Sequence, residues 1–317
     1  MSTAAAVIAG VDIGGTSTEV VLCTPQLDII ARSNAATPAS VGGTAMIDTC
    51  VDLIGALVQA SGTRLLGVGV GAAGVVETRA GTVLVASDSF TDWAGFPVAA
   101  TLRRRLAVPA FLDNDVNAFL RGEVATGAVA GESQALGMTL GTGVGGALWL
   151  GGELFEGSHG AAGEIGHTPG FGDRPCTCGR HGHLETLASG RAITARYRDS
   201  TGITLSAADI AALADAGDLA AAAVFDAAGT AIGQAITMVA ALIDVTTVVI
   251  GGGVTRAWHL LEPAIRRCLV DEPPVSGLPI RLERSALGAD AVALGAASRV
   301  RRELDNSWTA GTQPRIR

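Results

Sequence analysis

Short runs in which apolar residues dominate or alternate with polar ones open the chain: AAVIAGVDIG (5–14), TEVVLCT (18–24) and LDIIARSNAA (27–36). Their length and the tight turns between them predict a three-strand meander. From Thr44 to Ala60 the period becomes helical, with Met46, Ile47, Val51, Ile54, Leu57 and Val58 recurring on one face. A buried strand running into a glycine turn, LLGVGVGAAGVVE (65–77), then TVLVAS (82–87) and the loop SDSFTDWAGFPV (87–98) come next. A helix PVAATLRRRLA (97–107), a strand PAFL (109–112) and a helix beginning near Val116 complete this half. A meander followed by α-β-α-β departs from strict β-α alternation and matches a ribonuclease-H-like core.

The second half repeats the plan. Strands QALGMTLG (134–141) and GALWLGGELF (146–155) flank a glycine turn, a long helical region covers 218–244, and strand TTVVIGGG (246–253) follows. Beyond it, 258–269 reads as a helix, LPIRLER (278–284) as a strand and 289–304 as an amphipathic helix. Glycine turns at matching places in both halves predict a duplicated α/β domain with a nucleotide in the cleft. The expected division is a small domain over 1–117, joined by the helix 289–304, a larger one over 118–288 that carries a Cys/His loop, and a mobile polar tail, 305–317.

Bulk properties narrow the functional classes. The chain has 317 residues, 48% of them hydrophobic, and a mean hydropathy of +0.41, which argues for extensive burial and against disorder. A net charge of −8 and a pI near 5.1 disfavour nucleic-acid or anionic-membrane surfaces. All 22 basic residues are arginines. That excludes a Walker A lysine, a protein-kinase strand lysine and a Schiff-base lysine, leaving backbone amides, hydroxyls, arginine and metal for any phosphate chemistry. Five cysteines, two of them in a C-x-C spacing unsuited to a structural disulfide, and no basic residue ahead of the apolar run interrupted by Asp12 predict a reducing cytoplasm. The charge-free stretch 227–243 is interrupted by Gly229, Thr230, Gly233, Gln234 and Thr237 and reads as a buried helix rather than a membrane span.

Candidate chemistry concentrates between Asp113 and Glu185. Asp113, Asn114 and Asp115 stand where a strand ends and a helix starts, the place where an open α/β sheet presents its ligands. Asp115 is the candidate general base, able to take a proton from a sugar hydroxyl attacking a phosphoryl group; Asp113 or Asp115 capping the helix is the competing reading. Gly14, Gly15 and Thr16 form a turn that brings backbone N–H groups toward an anion, although an ordinary glycine hairpin has the same sequence. Asp12, a carboxylate on an apolar strand end, calls for a partner such as a magnesium–phosphate complex. GTGVGG (141–146), with the Thr142 hydroxyl and Gly143, is a second loop of phosphate type, and GGGV (251–254), with Gly252 and Gly253, suits an adenosine lying on the backbone. His167, Cys176, Cys178 and His183 supply two imidazoles and two thiolates, a set for one four-coordinate structural zinc; free cysteines and solvent histidines in a loop are the alternative.

These motifs together resemble the ROK family of sugar kinases and sugar-sensing repressors. The resemblance rests on DIGGT (12–16), DNDVNAFLRGE (113–123), GTGVGG (141–146), GAAGEIGH (160–167), CTCGRHGHLE (176–185) and IGGGV (250–254), and it spans nearly the whole chain. It implies the actin-like ATPase fold, two ribonuclease-H-like domains with a nucleotide and sugar cleft. It implies Asp115 as base, Asn114, Glu164, His167 and Glu185 on sugar hydroxyls, and Asp12 holding magnesium–ATP among Gly14, Gly15, Thr16, Thr142 and Gly143. His167 would serve zinc with one ring nitrogen and sugar with the other. The family's third zinc cysteine is replaced by His183, and Asp88-Ser89-Phe90 stands where glucose-type members often carry Pro-Asn-Leu. Ser89 for the larger Asn, together with the small-sided turn Gly71–Gly74, would leave room for a 2-acetamido group. The implied activity is 6-phosphorylation of a hexose by ATP, glucose first, with N-acetylglucosamine or N-acetylmannosamine as the alternative acceptor. A non-catalytic sugar sensor is the rival class, although sensors that repress transcription carry an N-terminal helix-turn-helix and here the first strand begins within the first ten residues. A homodimer or homotetramer is expected, with no nucleic-acid or membrane partner.

Overall fold

The computed structural model of the chain describes residues 4–87 and 89–309. It divides into two compact units: the described residues of Met1–Gly131, Gly157–Ala161 and Ala289–Arg317, and those of Glu132–Glu156 and Ala162–Gly288.

The first unit begins with the meander β1 (Ala6–Ile13), β2 (Ser17–Cys23) and β3 (Ile29–Ala36), followed by α1 (Gly43–Ser61) and β4 (Arg64–Ala72). A small hairpin, β5 (Val75–Glu77) and β6 (Thr82–Val85), precedes α2 (Val98–Leu106), β7 (Ala110–Asn114) and α3 (Asp115–Thr126). The five-stranded sheet has the order β3-β2-β1-β4-β7, with β1 antiparallel to β2 and parallel to β4, and β4 parallel to β7. Asp12 is in register with Gly71, and Gly71 with Asp113, so the two carboxylates lie level on the strands that flank β4, at one end of the sheet. Val11, Val70 and Leu112 pack with Met46, Ile47 and Ile54 of α1 and with Trp93 in a fully buried core. Each such side chain contributes about 1.5–3 kcal/mol on burial.

The second unit repeats the sheet. Strands β8 (Gln134–Leu140), β9 (Val144–Leu150) and β10 (Glu153–Leu154) are followed by helices α4 (Glu185–Ala188), α5 (Gly190–Thr201), α6 (Ala207–Asp215) and α7 (Leu219–Ile243). Strand β11 (Thr247–Gly251), helix α8 (Trp258–Asp271) and strand β12 (Arg281–Arg284) complete it, in the order β10-β9-β8-β11-β12. Helices α1 and α7 are each long and apolar enough to cross a membrane, yet each turns a buried face to its own unit's core: Met46, Ile47, Cys50 and Ile54 in α1, Phe225, Ile232 and Ile236 in α7. The last helix, α9 (Ala291–Thr309), returns to the first unit and packs on α3, β1 and β4.

Three features depart from the sequence reading. The first unit extends through Gly131 rather than ending at 117, because α9 seats directly on α3. A Cβ on Gly295 would stand 1.7 Å from the Ala118 carbonyl oxygen, and one on Gly122 2.3 Å from that of Ala291, so glycine is what lets the two backbones meet. Secondly, α9 runs to Thr309 instead of stopping at Leu304, since no Gly or Pro interrupts the sequence before Gly311; residues 305–309 of the expected tail are helical, and 310–317 lie outside the described residues, as does Asp88. Thirdly, residues 185–215 fold as α4, α5 and α6. Ser189 and Ser206 cap α5 and α6 by accepting from Ala192 N and Asp209 N, a signal readable as S-x-x-D at Ser206.

Candidate active site

At the carboxyl edge of the first sheet, Asp113, Asn114 and Asp115 have three separate roles. Asp113 is fully buried, with Oδ2 2.7 Å from Arg121 Nε and Oδ1 3.4 Å from an Arg299 guanidinium nitrogen. It is a structural ion pair, and one that loses much if either arginine is removed. Asn114, rather than either aspartate, caps α3: its Oδ1 accepts from Val116 N (2.9 Å) and Asn117 N (3.1 Å). Its Nδ2 donates to the Gly74 carbonyl (3.0 Å) and to Asp115 Oδ1 (2.9 Å), which also accepts from Val116 N (2.9 Å). Two donors on one oxygen fix the plane of the Asp115 carboxylate. The Asn114 amide, expected on a sugar hydroxyl, has both its donors and its acceptor engaged within the chain.

Gly74 has φ 110°, and a Cβ there would lie 2.3 Å from the Val85 carbonyl oxygen, so this position requires glycine. Gly71 faces Val292 Cγ1 and the Ala118 methyl at 2.4 and 3.0 Å from where its Cβ would be. At both positions the direction a side chain would take is blocked by protein, which accounts for the glycines. Ser89 is exposed and pairs with the Ser87 hydroxyl at 2.7 Å.

Asp12 lies at the same edge. Burial first, then the Asp115 and Glu19 carboxylates, push its carboxyl up to about 7. A divalent cation beside it would offset both effects, and a carboxylate is an oxygen ligand of the kind magnesium takes. The turn after β1 is closed by Gly14 N–H donating to the Ser17 carbonyl (3.0 Å), and it leaves Gly15 and Thr16 exposed.

In the second unit, the loop between β8 and β9 is braced at nearly every backbone group. Gly141 N–H donates to the Gly143 carbonyl (2.9 Å), and Gly190 N–H donates to that of Gly141 (2.8 Å). Arg191 Nε donates to the Thr142 carbonyl (2.9 Å), and Val144 N–H to Glu185 Oε2 (3.1 Å). Among the described residues the N–H groups of Thr142 and Gly143 have no partner, two successive donors of the kind that bind anions. Beside this loop, β11 ends in register with β8 (Gly251 with Thr139), and Gly252 follows with φ 90°, a Cβ there falling 2.5 Å from the Leu140 carbonyl oxygen. A cavity of about 840 Å³ opens between the two turns, lined by Thr142, Gly253, Phe225, Arg191, Arg198 and Arg256 among others. Its size suits a nucleotide. Arg191 and Arg198 escaped the sequence reading because α5, which builds one wall, was not foreseen; Arg256 stands just past the glycine turn 251–254.

Glu185, expected on sugar, makes its contacts in the structure to the protein. Besides Val144 N–H it accepts from the Thr177 hydroxyl (2.9 Å) and lies 3.4 Å from an Arg191 nitrogen. Glu164 is exposed ahead of the short turn Ile165–His167, with no side-chain partner among the described residues.

His167, Cys176, Cys178 and His183 converge with their ligand atoms within 4.8 Å of one another. Cys176 Sγ is 3.6 Å from His167 Nδ1, and Cys178 Sγ 3.3 Å from His183 Nδ1. Sulfur and nitrogen bound to one tetrahedral zinc stand about 3.5 Å apart, so the set fits that ion, His183 included. Burial holds the Cys176 thiol above its usual pKa, a bias that a bound dication would reverse. The loop is closed by the isolated bridges Pro169–His183 and Pro175–His181.

A meander with two added parallel strands, present twice and ending in glycine turns, is the α/β frame of the actin-like ATPase fold. The chain belongs to the ROK family, whose sequence profile matches residues 8–303. A glucokinase of Halalkalibacterium halodurans is 32% identical over 327 residues, covering 96% of this chain and 97% of that protein. An N-acetyl-D-glucosamine kinase of Shigella boydii is 32% identical over 307 residues, covering 91% and 97%. The structure of a ROK family glucokinase from Streptomyces griseus, in complex with glucose and AMPPNP, superposes with a TM-score of 0.80 at 28% identity, covering 93% of this chain and 99% of that one.

Proposed function

We propose that this protein is an ATP-dependent hexose kinase that phosphorylates the 6-hydroxyl of glucose, with Asp115 as the general base. The observation that carries this reading is the Asp115 carboxylate, aimed from a strand–helix junction by Asn114 Nδ2 and Val116 N–H. As the sugar oxygen attacks the γ-phosphorus, Asp115 takes the hydroxyl proton, the bond to the bridging oxygen breaks, and ADP leaves. Asp12 would hold the magnesium of the nucleotide, which lowers the repulsion between the phosphates and the attacking oxygen. Gly14, Gly15, Thr16, Thr142 and Gly143 are the residues assigned to phosphate, and the cavity beside Gly252 and Gly253 takes the adenosine.

Glu164 and His167 are the acceptors assigned to sugar hydroxyls. His167, with Nδ1 toward the thiolates of a structural zinc site, keeps its other ring nitrogen for the sugar. Asn114 and Glu185, also assigned to sugar hydroxyls, act besides through what they hold: Asn114 aims the base, and Glu185 braces the glycine loop. All five cysteines are free thiols, which suits a cytoplasmic enzyme. A homodimer or homotetramer is the expected assembly.

Glucose is taken first because the chain is similar over nearly its whole length to a glucokinase and, in fold, to a glucokinase holding glucose. The similarity to an N-acetyl-D-glucosamine kinase keeps that sugar in the test. A coupled assay with ATP should give a higher kcat/KM for glucose than for N-acetylglucosamine or N-acetylmannosamine. A preference of about tenfold for either acetamido sugar, about 1.4 kcal/mol at the transition state, would overturn glucose and leave the kinase standing. Binding without turnover for every sugar would replace the kinase with a sensor.

A further inference from the structure

The glycine loop 141–146 is held by side chains from the start of α4 and α5, and two of them grip either side of Gly143. Arg191 Nε donates to the carbonyl of Thr142 (2.9 Å), in the peptide that also carries Gly143 N–H. Glu185 Oε2 accepts from Val144 N–H (3.1 Å), the peptide that follows. The two side chains face each other at 3.4 Å, and Glu185 lies so close to Gly143 that a Cβ there would fall 2.3 Å from Oε2. Within one trans peptide the C=O and N–H point in opposite directions, so fixing the Thr142 carbonyl fixes the direction of Gly143 N–H. Glycine would otherwise let that peptide turn over, since it accepts either sign of φ without steric cost.

We infer that Arg191 is a positioning residue for the nucleotide phosphates: it locks the Thr142–Gly143 peptide so that Gly143 N–H faces the anion, with Glu185 as the counter-brace. The inference rests on the reading of this loop as the phosphate loop of a kinase. It also accounts for an arginine at the cavity wall that donates to the protein's own backbone. The planar guanidinium presents Nε and a terminal nitrogen in one fork, and so holds Thr142 and Glu185 together; a lysine ammonium reaches one or the other.

The test is titration of AMPPNP with Mg²⁺ into the full chain and into Arg191→Ala and Arg191→Lys, by calorimetry, with glucose titrated separately. Arg191→Ala should weaken AMPPNP binding by about tenfold or more, as expected for loss of a charge-assisted pair, with glucose affinity unchanged. Arg191→Lys should fall between the two. Added methylguanidinium should restore most of the loss in Arg191→Ala, which a loosened fold would not allow. An Arg191→Ala variant that binds AMPPNP within twofold of the parent overturns the inference, as does a loss that methylguanidinium leaves untouched. A parent chain that does not bind AMPPNP overturns the nucleotide reading of the loop itself.

Discussion

The sheet of the first unit runs β3-β2-β1-β4-β7 and that of the second β10-β9-β8-β11-β12, the same meander with two parallel strands added, yet the turns after equivalent strands carry different chemistry. In the first unit the strand ends bear ionisable side chains: Asp12 on β1, Asp113 at the end of β7 and Asp115 opening α3. In the second unit the equivalent turns are almost bare glycine, with Thr142 N–H and Gly143 N–H as donors and Gly252 allowing close approach to Leu140. The second unit adds what the first lacks, a Cys/His loop and two short helices that wall a cavity. A shared frame thus leaves the strand ends free to differ, one set carrying ionisable side chains, the other mostly bare backbone donors.

That division can be broken on the side-chain side first. Asp115→Asn should lower kcat by about 10²–10⁴-fold while sugar affinity and fold are kept, as for loss of a general base. Near-normal kcat in this variant, measured separately from sugar binding, would remove the first unit's claim to the chemistry. Asp12 offers the next largest effect. Its carboxyl is raised from the ordinary value of 3.8 to about 7, so its contribution to stability is full below pH 4, declines as pH rises and is gone above 7. Asp12→Asn should therefore match the parent near pH 4 and exceed it in stability at pH 8, by up to about 4 kcal/mol in the absence of metal. Urea unfolding at the two pH values measures the gap, and Mg²⁺ with nucleotide should narrow it. A gap that is equal at both pH values would show that Asp12 carries no strain of charge.

A third prediction separates scaffold from site. Gly295→Ala places a methyl 1.7 Å from the Ala118 carbonyl, so α9 must shift from α3, and the cost should be about 1–3 kcal/mol or more, confined to the first unit. Hydrogen exchange should rise in α3 and α9 and stay unchanged in α7 and α8. The smallest expected effect concerns the second unit's insertion. Elemental analysis should find one zinc per chain, and Cys178→Ala should lose it and weaken glucose binding by about 10–100-fold through His167, the range seen when support of a site is lost. A metal-free parent with full sugar affinity would leave the loop without that role.

The elements of both sheets, the duplication and the positions of the glycine turns were legible in the chain, because strand alternation and glycine turns are local properties. So was the Cys/His cluster, which lies within 17 residues from His167 to His183 and whose side chains converge. The polar trio at 113–115 was legible as a site but not in its internal roles. Asp113 is a buried ion pair: Arg121 stands only eight residues along, in α3, whereas Arg299 arrives from a helix nearly two hundred residues away, which nothing around Asp113 announces.

The same limit runs through the rest of the molecule. Local sequence by itself determined which segments are strands, where the backbone turns on glycine, and that phosphate would have to be met without lysine. Tertiary structure alone decided that α3 stays with the first unit through α9, that Gly71 and Gly74 pack too closely on neighbouring segments to carry a side chain, and that Glu185 and Arg191 brace the glycine loop. The physical reason is one of range. Backbone propensity and turn chemistry act over a few residues, whereas packing distance and hydrogen-bond satisfaction depend on which distant segment arrives beside each group.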